Sequence, residues 1–163
     1  MSKRIVCVLL ALIMLVGMIP AGVITASAAS NRNVSENAVK FIKDWEGYSK
    51  TAYADGSQYT YGYGTQAPHA NATITESQAD KALREELKDI NTEVNRFAAA
   101  YNLNLSQSQH DALVSFSFNV GTGWMSQLNY RITKAVLSGA TGNDFLQAIC
   151  LWSNVDSLPV GGL

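Results

Sequence analysis

Residues 44–64 read DWEGYSKTAYADGSQYTYGYG. Just before and within them, Val34, Ala38, Phe41, Ile42 and Trp45 recur at helical spacing behind Ser35, whose hydroxyl suits an N-cap. A short, one-faced helix is therefore expected to run to Glu46 and stop at Gly47. From Tyr48 the period changes. Aromatic residues and threonines are interrupted by Asp55, Gly56 and Ser57, which read as a turn between two short strands, with room for a third, while Gly62 and Gly64 keep the chain tight beyond them. This puts Glu46 in the last turn of a helix, Asp55 in a hairpin turn and Thr60 on the returning strand.

Outward from this stretch the chain is helical. Residues 65–74 form a polar loop carrying Pro68 and His69. Thr75 and Gln78 make a capping box for a helix of about seven turns at 3.6 residues per turn, in which Ala79, Leu83, Leu87, Ile90, Val94 and Phe97 face inward. The opposite face, from Lys81 and Arg84 to Glu93, mixes both signs and reads as solvated. Ser106 and Gln109 form a second capping box, opening a helix through Ala112, Leu113, Phe116 and Phe118 that breaks at Asn119–Gly123. Another helix is expected over Ser126 to Leu137, burying Leu128, Ile132, Val136 and Leu137. A last one starts near Asn143 with Phe145, Ala148, Ile149 and Trp152. The fold class predicted is α+β, mainly helical: a small hairpin lobe over about 47–74 and a helical lobe over 75–163.

The chain has 163 residues, enough for one modest domain. Lys3 and Arg4, the apolar run Ile5 to Ile19, and the small residues Ala26 and Ala28 describe a secretory signal peptide over residues 1–28. The mature protein, from Ala29, is then expected to be secreted or wall-associated, with membrane anchoring only if the leader is retained. Of 12 Lys plus Arg and 13 Asp plus Glu, Lys3 and Arg4 leave with the leader. The acidic balance that remains excludes a nucleic-acid footprint of clustered basic groups. Cys7 also leaves. Cys150, in an apolar run, then reads as a core residue rather than a catalytic thiol. His69 and His110 have no third partner at metal-ligand spacing, and His110 reads as a surface or capping-region residue.

A carboxyl at a helix C-terminus meets the negative end of the helix dipole, and Trp45, Tyr48 and Tyr53 stand near enough in sequence to desolvate it. Both effects favour a protonated Glu46, whereas Asp55 in a polar turn keeps its charge. Carboxyl groups pushed in opposite directions are the arrangement that cleaves glycosidic bonds. By spacing alone, Glu46 is equally readable as a last-turn residue and Asp55 as a turn former.

The same stretch resembles the catalytic segment of phage-type lysozymes, the T4 lysozyme-like muramidase and endolysin family. The matching residues are Glu46 and Gly47, then Tyr53 and Asp55, then Thr60, Gly62, Tyr63 and Gly64. A second match, LSQSQHDALVSFSFNVGTGW over 105–124, looks like the family's Ala-Leu-x-Ser-Phe-x-Phe-Asn-x-Gly helix, and ITESQADKALREEL over 74–87 fits its post-cleft helix. The resemblance implies a lysozyme-like fold with a cleft between hairpin and helical lobes. It implies Glu46 as general acid, Asp55 as second carboxylate and Thr60 as a positioner of water or substrate. It further implies an N-acetylmuramidase acting as a monomer on the β-1,4 bond between N-acetylmuramic acid and N-acetylglucosamine in peptidoglycan glycan strands, with no cofactor. Tyr53, Tyr59, Tyr63 and His69 are candidates for lining the substrate cleft, and Trp124 for either the cleft wall or the bundle core.

Three departures accompany the resemblance. Four residues separate Asp55 from Thr60 where many relatives have five. Thr65 stands where relatives commonly carry His. The chain ends at Gly162 and Leu163, where relatives continue into an Arg-rich helix, so uncovered apolar surface near Phe145, Ile149 and Trp152 is expected to favour instability or association. These departures also support a second reading, a noncatalytic peptidoglycan-binding relative.

Overall fold

The computed structural model of the protein describes residues 31–151. The leader, Trp152 and the chain end with its expected missing helix lie outside the described residues. The elements run α1 (Glu36–Glu46), β1 (Ser49–Asp55), β2 (Gln58–Gly62), β3 (Thr65–Gln66), α2 (Glu76–Ala100), α3 (Gln107–Val120), a 3₁₀ turn (Gly123–Ser126), α4 (Arg131–Leu137) and α5 (Gly142–Cys150).

Helix starts and stops follow their local chemistry. Ser35 accepts the N–H of Ala38 at the head of α1, and Gly47, at φ +68°, returns its own N–H to the Lys43 carbonyl at the tail. Both capping boxes form, Thr75 with Gln78 and Ser106 with Gln109. The strands make an antiparallel sheet in the order β1-β2-β3. Asp55 pairs with Gln58, so Asp55 closes β1, and the connecting loop is the two residues Gly56 and Ser57, with Gly56 at φ +62°.

The core is built around α2 and α3. Leu83, Leu87 and Val94 from α2 and Leu113 and Phe116 from α3 are buried together with Ile132, Phe145 and Ile149 from the last two helices. Trp124 belongs to this core: its indole N–H donates to Ser117 Oγ at 3.0 Å, and its ring meets Phe97 and Phe116 edge-on. The segment ahead of α1 is pinned to the bundle through Arg32. Arg32 exchanges two backbone hydrogen bonds with the Asn95 side chain and donates through Nε to the Leu105 carbonyl.

Three expectations are corrected. The helix expected from Ser126 begins at Arg131, because the Ser126 hydroxyl donates to the Gly123 carbonyl and closes the 3₁₀ turn instead of capping a new helix. Leu128, caught between the two, is 54 % exposed. His110 is only 1 % exposed, because α3 is buried nearly all round from His110 to Ser117. The charged face of α2 is open to solvent, as expected, and carries an ion-pair network. Arg84 makes a bidentate pair with Glu36 of α1 at 2.7 and 2.8 Å and bonds Asp80 at 2.9 Å.

Candidate active site

Glu46 is the final residue of α1, half-buried, with its carboxyl directed at the β2–β3 turn. A Cβ placed on Gly64 would stand 3.4 Å from Glu46 Oε2 and 3.4 Å from Phe118 Cζ. These are contact distances rather than clashes, and it is the backbone, at φ +92°, that favours a glycine at this position. Gly62, at φ +60°, is the tighter of the two and presses on α2: a Cβ there would lie 2.9 Å from the Ala79 Cβ. The Gly-Tyr-Gly run is therefore a close-packed turn seated between the end of α1 and the start of α2. Phe118, the second Phe of the SFSFN segment, is a site residue that periodicity alone assigns to the core.

The hairpin supplies the other groups. Tyr53 pairs with Thr60, Asp55 with Gln58, and Thr60 with Gln66 on β3. With side chains alternating along each strand, Tyr53, Asp55, Thr60, Gln58 and Gln66 share one face of the sheet, and Tyr59 and Tyr61 take the other. Asp55 is exposed at the hairpin tip. Thr60 is 1 % exposed, and its Oγ1 has no hydrogen-bond partner among the described residues. A buried hydroxyl left without a partner costs about 1–3 kcal/mol, a cost that a water or a bound hydroxyl within its reach would relieve.

The four cleft candidates separate. Tyr53 is exposed on the Asp55–Thr60 face. Tyr59 is exposed on the opposite face, and His69 is exposed in the loop after β3. Tyr63 is 4 % exposed: its hydroxyl donates to Glu76 Oε1 at 2.7 Å and Lys43 Nζ sits 4.8 Å above its ring. Burial, followed by the bond to Glu76, pushes the Tyr63 phenol up. Thr65, in the position where His was noted as usual, is buried and donates weakly to the Tyr61 carbonyl at 3.4 Å. Among the described residues, no three His, Cys, Asp or Glu side chains gather to hold a metal ion. Cys150 is half-buried at the end of α5, and burial pushes its thiol up.

The sequence pattern of the phage lysozyme family matches residues 43–162, which include the end of α1, the sheet and all the later helices. The chain belongs to the phage lysozyme family. Among its relatives, the endolysin of Bacillus phage B103 is 35 % identical over 96 residues, covering 56 % of this chain and 35 % of that protein. The endolysin of Lactococcus phage c2 is 36 % identical over 100 residues, covering 56 % and 43 %. The chain thus spans between about a third and less than half of the length of these relatives. Two solved structures share the phage lysozyme architecture. The muramidase domain of SpmX from Asticaccaulis excentricus has a TM-score of 0.59 at 24 % identity, covering 78 % of this chain and 100 % of that one. The endolysin from Escherichia coli O157:H7 phage FAHEc1 has a TM-score of 0.52 at 22 % identity, covering 81 % and 99 %. The fold is lysozyme-like, α+β and mainly helical, as the residue pattern implied.

Proposed function

We propose that this phage lysozyme family member is an N-acetylmuramidase that hydrolyses the β-1,4 bond between N-acetylmuramic acid and N-acetylglucosamine in peptidoglycan. Glu46 acts as general acid, and the observation that carries the reading is its carboxyl, held at the end of α1 over Gly64 and beside Phe118. Glu46 delivers its proton to the glycosidic oxygen as the bond breaks, and Asp55 meets the positive charge that develops on the sugar or activates the attacking water. Thr60, on the same face of the sheet as Asp55 and with no partner for its hydroxyl among the described residues, supplies a hydrogen bond to that water or to a substrate hydroxyl. Tyr53, exposed beside them, offers a flat face to a sugar ring. The family's endolysin relatives support a wall substrate, and a leader over residues 1–28 would deliver a monomeric enzyme to it outside the membrane.

The test is the chemistry of the ends released. Purified full chain is incubated with peptidoglycan, the soluble products are reduced with borohydride, and their masses are read. Muropeptides ending in reduced N-acetylmuramic acid are expected. Products ending in reduced N-acetylglucosamine, free stem peptides, or wall binding with nothing released would overturn the assignment.

A further inference from the structure

We propose that Lys43 is a positioning residue for Glu46, fixing the end of α1 against the Gly62–Gly64 turn and α2; the inference rests on the muramidase reading above. Three contacts meet in this one residue. Its carbonyl accepts the N–H of Gly47 at 3.0 Å, closing the helix turn that ends in Glu46. Its Nζ donates to Asp80 Oδ1 at 2.9 Å, which ties α1 to α2. The same Nζ lies 4.8 Å above the ring of Tyr63, the residue between the glycine packed on Ala79 and the glycine packed on Glu46. Tyr63 is itself held from the far side by Glu76, and Asp80 by Arg84, which is clamped to Glu36 near the head of α1. The carboxyl is therefore located by two surfaces, its own helix and the turn beneath it, and Lys43 is the side chain that locks one to the other.

An ion pair of this kind, with side chains 27 % and 32 % exposed, is a modest source of stability. Its geometry matters more. A general acid displaced by about 1 Å can lose on the order of 100-fold in rate while substrate binding is little changed. The electrostatics agree with a formed clamp: Asp80 pushes the Lys43 ammonium up, and Lys43, then Arg84, hold the Asp80 carboxyl below its usual range.

The experiment compares the full chain with Lys43→Met, which keeps the apolar stem but not the charge, and with Lys43→Arg, which keeps the charge. Two readouts are taken: kcat and KM for muropeptide release, and amide hydrogen exchange resolved at Gly47 and Gly64. Expected for Lys43→Met is a kcat lowered about tenfold or more with KM within about twofold, faster exchange at Gly47 and Gly64 but not in the centre of α3, and recovery of both in Lys43→Arg. Parental kcat in Lys43→Met would overturn the proposal, as would exchange that accelerates uniformly and is not restored by Arg. If the parent itself releases no muropeptides, it is the muramidase reading that fails. The exchange readout then decides the clamp alone, and unchanged protection at Gly47 and Gly64 in Lys43→Met would refute it.

Discussion

At the scale of single residues, Thr60 separates stability from catalysis. Its hydroxyl is buried and has no partner among the described residues, so Thr60→Val removes a polar group that their packing does not use. The expected Tm is equal to or above the parental value, whereas muropeptide release drops on the order of 100-fold; calorimetry and product release on one preparation read both, and a parental rate would remove Thr60 from the machinery. Gly64 predicts the reverse coupling. Gly64→Ala places a methyl in contact with Glu46 Oε2, 3.4 Å away, in a left-handed conformation that costs roughly 1–2 kcal/mol in backbone strain, which a shift of the turn carrying the acid's neighbour would relieve. Both Tm and release rate should fall, and unchanged values would mean that the turn yields without moving Glu46. Glu46, Asp55 and Thr60 were legible in the sequence because each occupies a locally determined place: a helix end, a hairpin tip, a returning strand. Tyr63 was not, since which side of a turn an aromatic ring falls on is decided by Lys43 and Glu76, residues in separate helices.

At the scale of elements, the helix ends carry most of what sequence could establish. Thr75→Ala should lower stability by about 1 kcal/mol, since it removes the side-chain half of the α2 capping box; denaturant melts with an unchanged m-value would check it. Glu86, on the same helix, gives a pH-dependent prediction. Burial pushes its carboxyl above the ordinary 4.5. The folded state therefore pays for the ionised form at neutral pH, and the penalty is relieved as pH falls through the raised value. Glu86→Gln should raise Tm at pH 7 and lose that advantage below about pH 4.5, which a Tm series from pH 3 to 7 would show. Capping pairs and apolar periodicity are local signals, so α1, α2 and α3 were readable. The start of α4 and the exposure of Leu128 were not, because Ser126 spends its hydroxyl on the preceding 3₁₀ turn, a choice that sequence chemistry leaves open.

At the scale of the whole molecule, α1, α2 and α3 are joined by polar ties as well as by the core. Asp111 accepts from the Ser35 N–H and hydroxyl and from Gln107, with His110 Nδ1 4.0 Å away. Burial would raise this carboxyl, but these neighbours outweigh it and hold it below its ordinary 3.8. A depressed folded value means that the tie contributes fully above that pH and is lost as pH falls through the depressed range. Tm should therefore drop on acidification below about pH 4, and Asp111→Asn should lessen that drop. The same long-range packing explains His110, whose burial follows from the enclosure of α3 and not from anything in its neighbours along the chain. The central claim joins all three scales, since the helix end, the glycine turn and Phe118 matter to function only if Glu46 is the acid they hold. The most direct measurement is muropeptide release by Glu46→Gln beside the parent, with both proteins checked for the same cooperative melting transition. The account predicts a parent that releases muropeptides and a folded variant at least about 100-fold slower that still binds the wall; a folded Glu46→Gln protein releasing them at the parental rate would contradict it.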